Sequence, residues 1–471
     1  MKIYSRINYA FILILNLFIV TQKGFTNSAI TYIESEQELG SSDYCANGDL
    51  DNDGDIDVIT SHYSTSIKIY LNDGNGQFTL NGQSISIAST WDIALADLDY
   101  DGDLDLFITS TTTSNRVYFN DGSGQFTDSG QRFVSLPSMD VELGDVDSDG
   151  DFDAIIANFH TTFDSATRNK IWLNDGTGHF SDSGKYLGIT VADNLQAGDL
   201  NGDGNLDAVI GNTRTPGVKV WLGDGTGNFS ATNQIIGTEG YLELADFDGD
   251  NDLDLFRGKK NAPNEIWLNN GNGIFEKTDQ VLRNLNGYNA EACDMDCDSD
   301  MDLIVALGEN TPNIIWLNDG NGHFTDSGIQ LGNGFSGDVA ISDYNNDGLM
   351  DIYFSGSPDK VWLCQTTDPS HIRNEIQKSS YFKLYDNYPN PFNPSTTISY
   401  SLEKPASVKI SIFNSQGQCV KILANSFHPS GEFAVEWDGT DFNGRKVGSG
   451  MYFYQLKTDK NIHSKKMIFI Q

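Results

Sequence analysis

The sequence predicts an all-β chain: a closed ring of seven four-stranded units, a seven-bladed β-propeller, followed by a small β-sandwich. Three observations carry this expectation. An acidic motif recurs seven times at intervals of 47 to 54 residues. Glycine is abundant and proline scarce, at 47 and 11 of 471 residues, which suits turn-rich β architecture and excludes collagen or proline-rich disorder. Residues 381–471 carry 10 Lys and Arg against 7 Asp and Glu, a net of +3, which leaves −40 on the first 380 residues. The chain therefore divides into an acidic repeat region and a tail of a different kind.

At the N-terminus, Lys2 and Arg6 precede an apolar run over residues 11–20, interrupted by Asn16. Ten residues are too few to cross a hydrocarbon core of ~30 Å, which takes ~20. No transmembrane segment is expected, and residues 1–29 read as a signal peptide. The total of 29 basic and 66 acidic residues argues against nucleic-acid and anionic-membrane partners, because phosphate binding needs clustered cations. The five cysteines (45, 293, 297, 364 and 419) are scattered and odd in number, so no disulfide framework is expected.

The repeat proper begins D-x-[DN]-x-D-[GNS]-x-x-D at Asp49, Asp97, Asp145, Asp199, Asp246, Asp294 and Asp343. Some twenty residues later each of the first six copies carries a second signature of the form IYLNDGNGQF, and the seventh stops at VWLC. A period of ~20–50 residues signals solenoids or propellers. Each unit reads as four strands: small residues before the Asp loop, an apolar strand after it, a third strand ending in Trp or Tyr, and a fourth beyond the N-D-G-x-G hairpin. The small residues before the first Asp (Gly48, Ala96, Gly144, Gly198, Ala245, Ser342) suit strands converging on a crowded axis. The seventh unit lacks its fourth strand, while residues 31–39 precede the first loop with no blade of their own. The two ends are thus expected to build one composite blade, residues 31–39 pairing with 360–363. The propeller is assigned to residues 30–364, a polar linker to 365–380 and the tail to 381–471.

Carboxylates or amides at positions 1, 3 and 5, a turn residue at 6 and Asp at 9 describe a cation loop. A hard cation such as Ca²⁺ takes six to eight oxygens at ~2.3–2.6 Å, and position 7 can add a backbone carbonyl. The seven loops hold 31 of the 66 acidic residues, which without a counter-ion would repel one another. An EF-hand is excluded, because position 12 is Thr60, Ile108, Ile156, Ile210, Arg257, Val305 and Phe354 in place of a bidentate Glu. Asn251 and Ser299 replace the turn Gly, and Ser tolerates a left-handed backbone less well than Asn. The loop at Asp294 is expected to be the most strained.

D-x-D-x-D-G-x-x-D followed by L-N-D-G-x-G-x-F resembles the FG-GAP/VCBS-type repeat of seven-bladed propellers related to integrin α-subunit heads. The resemblance implies up to seven Ca²⁺ ions and an extracellular binding or adhesion role. Position by position it implies ligands at Asp49, Asp51, Asp53, Asp55 and Asp57; at Asp97, Asp99, Asp101, Asp103 and Asp105; and at Asp145, Asp147, Asp149, Asp151 and Asp153. It continues with Asp199, Asn201, Asp203, Asn205 and Asp207; Asp246, Asp248, Asp250, Asp252 and Asp254; Asp294, Asp296, Asp298, Asp300 and Asp302; and Asp343, Asn345, Asp347, Leu349 and Asp351, position 7 acting through its carbonyl. The literal F-G and G-A-P elements are absent, so integrin-like partner chemistry does not carry over.

In the tail, N-Y-P-N-P-F-N-P from Asn387, W-D-G-x-D from Trp437 and G-x-Y-x-Y from Gly450 resemble the type A sorting domain of the type IX secretion system. That resemblance implies a β-sandwich, a partnership with the type IX machinery, and delivery through the periplasm to the medium or the outer cell surface; the tail's alternating strands put Trp437 and Phe453 in its core.

Catalytic motifs are missing: the sequence has no G-x-S-x-G, H-E-x-x-H or phosphate loop. A non-catalytic binding or adhesion module, acting as a monomer on an extracellular glycan or protein, is the expectation. A calcium-dependent polysaccharide lyase or glycosidase on a propeller scaffold is the alternative. Ligand contacts are expected on the face opposite the cation loops. The candidates are Trp91, Tyr241 and Tyr288 in connections near the axis, His160, Phe163 and Arg168 in the longer third unit, and Arg214 and Arg257 on neighbouring loops.

Overall fold

In the computed structural model the chain divides into two compact units between Thr367 and Asp368. The structure describes residues 30–366 and 382–469, apart from 64–65, 134–136, 160–167, 190–191, 213–216, 238–239, 260–261, 285–286, 309–310, 333, 386, 391, 393, 403–405, 415–418, 441–444, 448–449 and 458–461. The expected signal peptide lies outside the described residues. Every regular element among the described residues is a β-strand.

The first unit contains seven antiparallel sheets. Blades 1 to 6 span 44–85, 90–128, 138–189, 192–235, 241–284 and 287–331, and blade 7 combines 336–366 with 30–34. Blade 5 gains a fifth, short strand, Leu282–Asn284, paired beside its third. The innermost strands are Tyr44–Gly48, Thr90–Ala96, Ser138–Gly144, Ala192–Gly198, Tyr241–Ala245, Gly287–Cys293 and Ser336–Ser342. They contact one another in cyclic order, the last against the first, so the ring is closed. Small residues end these strands because the neighbouring blade is close: a Cβ on Gly144 would lie 2.6 Å from Leu206 Cδ2.

Closure is made as the complementary ends require. Ile30–Glu34 runs antiparallel to Lys360–Thr366, with Tyr32 opposite Cys364, and Glu34 pairs with Lys360. The N-terminal strand is shorter than the expected 31–39, because residues 35–39 leave the sheet edge to reach blade 1. The partner strand is longer, running to Thr366, so the propeller passes residue 364 and the linker starts at 367. The remainder of the linker lies outside the described residues.

Apolar side chains alternate inward from neighbouring sheets, so each core belongs to two blades. Val58, Tyr70 and Phe78 of blade 1 meet Tyr344, Tyr353 and Val361 of blade 7, each large apolar side chain contributing about 1.5–3 kcal/mol on burial. Polar clasps repeat at the same seams. The Asn of N-D-G donates its Nδ2 to the carbonyl at loop position 2 of the preceding blade: Asn72 to Tyr344, Asn120 to Leu50, Asn174 to Leu98, Asn269 to Leu200 and Asn318 to Phe247, at 2.7–2.8 Å. A glutamine from the outer strand, or from the connection that follows it, reaches forward to the hairpin Phe of the next blade. Gln83 Oε1 accepts from Phe126 N at 2.8 Å, and Gln131, Gln234 and Gln280 do the same for Phe180, Phe275 and Phe324. Gln37, just beyond the closing strand, serves Phe78 at 2.7 Å. The composite blade is therefore joined to blade 1 by the same device as every blade that carries the glutamine.

The second unit is a β-sandwich of a three-stranded sheet (Phe382–Leu384, Thr396–Leu402, Gly431–Trp437) and a four-stranded sheet (Cys419–His428, Ala406–Asn414, Gly450–Lys457, Ile462–Phe469). Trp437 is fully buried against Phe392 and Tyr452, its indole N–H donating to Thr440 O at 3.0 Å. The expected core residue Phe453 is only half-buried. The two-residue alternation of the strand turns Tyr452, Tyr454 and Leu456 inward instead.

The amide of Asn318 also donates to Met301 O at 3.0 Å, so it ties two blades at one buried point. Replacement Asn318→Ala should strand both carbonyls and lower stability by about 1–3 kcal/mol, read as a reduced denaturation midpoint in urea. An unchanged midpoint would show that the clasp contributes nothing net.

Candidate metal centres

The seven acidic loops link the innermost strand of each blade to its second strand and lie together on one face of the ring. Their backbone is wound around the carboxylates. The carboxylate at position 5 accepts the N–H of position 7 in all seven loops, at 2.9–3.1 Å. In six loops the carboxylate at position 1 accepts the N–H of position 6, at 2.8–3.1 Å. Position 4 is left-handed in every copy: Asn52, Tyr100, Ser148, Gly202, Gly249, Cys297 and Asn346 have φ between 58° and 78°. The loop at Asp294 puts both Cys297 and Ser299 there, at 64° and 80°, neither of which favours that region.

These turns bring three carboxylates to within 4.8 Å of one another in five loops: Asp49, Asp51 and Asp53; Asp97, Asp99 and Asp101; Asp145, Asp147 and Asp153; Asp246, Asp248 and Asp250; and Asp294, Asp296 and Asp302. Asp147 Oδ1 and Asp296 Oδ1 are buried and accept no hydrogen bond, an arrangement that a cation would complete. In the loops at Asp199 and Asp343 an amide stands at position 3, and Asn201 and Asn345 each accept the N–H of position 5 at 2.9 Å. The side chains at position 7 turn away towards the hairpin: a Cβ on Gly74 would lie 2.5 Å from Asp55 Oδ2, and one on Gly320 2.6 Å from Asp300 Oδ1. That leaves position 7 its carbonyl as the group available to the loop. The donor set is all oxygen, and it fits a hard cation.

The ninth position has a second role that the motif did not disclose. Asp57, Asp105, Asp153, Asp207, Asp254, Asp302 and Asp351 are fully buried. In each, Oδ2 accepts the N–H of loop position 2 and Oδ1 accepts an N–H from the end of the third strand, at 2.7–3.0 Å. Burial outweighs these two N–H donors and pushes the carboxyls up, to about 7 at Asp57, Asp153 and Asp207 and about 8 at Asp105, Asp254, Asp302 and Asp351. Burial, with neighbouring carboxylates, raises Asp294 and Asp296 to about 6.

The expected ligand residues separate. His160, Phe163 and Arg214 lie outside the described residues. Trp91, Tyr241 and Tyr288 occupy the first residues of innermost strands instead of the connections before them, because those strands extend to pair with the end of the second. Trp91 meets the rings of Tyr44 and Tyr63 at 6.1 and 5.6 Å, two residues the sequence reading missed. Arg168 stands in a strand, over the Tyr186 ring at 3.8 Å. Arg257 is corrected from a loop to the second strand of blade 5. It is buried there and paired with Glu265, which also binds Lys259 at 2.7 Å and Lys277 at 2.6 Å. Although burial opposes it, hydrogen bonds from these cations hold the Glu265 carboxyl down to about 2. A charged side chain so placed is part of the packing and presents no recognition surface.

The model of the FG-GAP-like repeat matches residues 49–108, 97–156, 145–210, 199–257, 246–305 and 294–354. Each match runs from the first Asp of one loop to position 12 of the next, so six matches tie seven loops together. The chain belongs to the FG-GAP-like repeat family. Residues 386–471 match the secretion system C-terminal sorting domain. The protein is therefore exported by type IX secretion, to the medium or the outer cell surface. Among the described residues no helix is long and apolar enough to cross a membrane. No curated protein matches the sequence. Solved structures similar to it include BBS1N in complex with ARL6DN, at TM-score 0.50 and 11% identity over 70% of this chain and 96% of that one. Two more have TM-scores of 0.45: PorZ, a surface component of the type IX secretion system of Porphyromonas gingivalis (14% identity, 89% of this chain and 58% of that one), and YCF48 from Cyanidioschyzon merolae (8% identity, 73% and 99%). At such identities the BBS1N likeness bears on the fold alone.

Carboxyls raised by folding bind protons more tightly in the native chain than in the unfolded one. Their contribution to stability is full below the unfolded carboxylate range and is lost as pH rises through the folded values of about 7 to 8. In chelator, the melting temperature should fall as pH is raised from about 4 to about 8. A flat profile in differential scanning calorimetry would show that the paired N–H donors keep these carboxylates ionised throughout.

Proposed function

We propose that the protein is a secreted, calcium-binding propeller that acts as a monomeric, non-catalytic binding or adhesion module for an extracellular glycan or protein. The observation that carries this reading is the gathering of three carboxylates within 4.8 Å in five loops of one face. Positions 1, 3 and 5, the carbonyl of position 7 and, at Asp153 and Asp302, the ninth carboxylate are the groups that would hold the ion. Bound calcium supplies the positive charge that lets these carboxylates ionise side by side. The protein's own part is to fix their spacing: backbone donors orient the carboxylates at positions 1 and 5, at Asp246 and Asp294 through both oxygens of position 1. A ring whose loops are pinned in this way holds the opposite face, with its variable connections, as a rigid platform.

Isothermal titration of the chelator-treated protein should show several calcium sites in the range of extracellular modules, Kd of about 10⁻⁴–10⁻³ M. The melting temperature should rise with calcium, because the ion binds the native state only. Absence of binding heat, together with one melting temperature in calcium and in chelator, would remove calcium from this reading.

The sorting unit is assigned no part in ligand binding. Deleting residues 381–471 should leave a folded propeller in the periplasm of the native host, with its calcium titration unchanged. Normal surface display of the truncated chain, seen by fractionation, would overturn that division of labour.

A further inference from the structure

Around the central axis the blades are joined by a ring of short polar side chains, five residues before each loop. Asp338 accepts Cys45 N at 3.1 Å, Asp92 accepts Val141 N at 3.1 Å, Asp140 accepts Leu195 N at 2.8 Å and Asn194 accepts Leu242 N at 2.9 Å. Asn289 donates to Asp338. Two blades depart from this rule: Tyr44 in blade 1 and Tyr241 in blade 5 put phenols where the other five put a carboxylate or an amide. A fold held together by repetition gives no reason for two such exceptions.

The exceptions gather further aromatic surface at one mouth of the axis. Innermost strands end at the acidic loops, so their first residues lie at the opposite face. There Trp91 takes the edge of Tyr63 at 87° and lies tilted against Tyr44. Tyr63 is 44% exposed and Trp91 half-buried. The backbone N–H of Tyr63 donates to Asp43 Oδ2 at 2.7 Å, and His62 lies 3.8 Å from the same carboxylate. Beneath the rings sit the buried Asp92 and Asp338. Burial, then these two carboxylates and then Tyr241, drives the Tyr44 phenol well above its ordinary value, so both carboxylates lie within electrostatic reach of the ring.

We propose that this mouth, walled by Tyr44, Tyr63, Trp91 and Tyr241 over the carboxylates of Asp92 and Asp338, binds a protonated amino sugar of an extracellular glycan. The site deepens the reading of the protein as a glycan- or protein-binding module and rests on it. Aromatic faces accept the C–H face of a sugar ring by apolar contact. An ammonium group on that ring is attracted both by the ring quadrupoles and by the carboxylates below. A neutral sugar would use only the first of these attractions, and an acidic sugar would be repelled.

Glucosamine oligomers titrated in mildly acidic buffer against the full, calcium-loaded chain should bind and quench tryptophan fluorescence. N-acetylated oligomers of equal length should bind about tenfold more weakly, having lost the cation. Trp91→Ala should weaken glucosamine-oligomer binding by at least about tenfold while Trp91→Phe keeps most of it, the calcium-dependent melt being the same in both variants. Equal binding of both oligomers would overturn the cation, and a lysine-rich peptide that binds as tightly as the sugar would overturn the glycan. Failure of every oligomer to bind, or full affinity in Trp91→Ala, would overturn the site. The calcium titration is a separate measurement, so a failure here is distinguishable from a failure of the calcium-module reading.

Discussion

The ring depends on a buried aspartate repeated seven times. A carboxylate deep in a protein is tolerated only where hydrogen bonds replace its water. At Asp302 those bonds are the N–H of Met295 in its own loop and the N–H of Asn318 at the end of the third strand. One side chain thus fixes the loop's width and joins the first half of the repeat to the second. The amide of Asn318 then continues the chain of bonds to Phe247 O in the blade before. Loop, blade and seam are therefore a single polar unit, and the apolar cores on either side are built around it.

The two blades that lack the asparagine show what this unit demands. In blade 4 the position is Gly223, where a Cβ would lie 2.2 Å from Leu206 O. No larger residue can stand there, and the seam keeps the bond from Gly227 N to Val146 O at 2.8 Å, which blades 1, 5 and 6 make as well as the asparagine's. In blade 7 the position is Cys364, whose N–H still reaches Asp351 Oδ1 at 2.7 Å. No N-D-G-x-G sequence follows it. The N-terminal strand takes that place, and Tyr32 opposite Cys364 sends its hydroxyl to Met350 O at 3.2 Å. The truncation of the seventh repeat and the extra strand at the N-terminus are thus one arrangement seen from two ends of the chain.

Much of this was legible in the sequence, because a repeat averages out local ambiguity. Seven copies of the Asp loop fixed the period, the strand order and the composite blade. What stayed hidden followed from properties that a motif does not encode. A ninth Asp that ligates and one that caps backbone donors are the same letter, so its stitching role emerged only from the paired bonds. Arg257 read as a surface cation beside Gly258 and Lys259. Its partner Glu265 faces it across the strand pairing of blade 5, which composition cannot show. In the sequence Trp91 and Tyr241 read as aromatics in connections near the axis, whereas the ends of innermost strands are set by neighbouring blades and not by local propensity.

Repetition also divides the molecule's two faces by the freedom each retains. On the loop face positions 1, 5 and 9 are tied by backbone bonds and the neighbouring hairpin by the seam, so a change there disturbs a seam. On the opposite face the strands begin rather than turn, and among the described residues the bonds between connections are made by side chains that vary from seam to seam, such as Asn115 Nδ2 to Ser138 Oγ and Asn313 Nδ2 to Ser336 Oγ, both at 2.9 Å. The third unit is six residues longer than the second and seven longer than the fourth, and its extra residues fall in that kind of connection. The departures from symmetry at Tyr44, Tyr63 and Trp91 fall at the same end. A surface that tolerates departures while the ring below it cannot deform is where such a fold can acquire a partner without losing its stability.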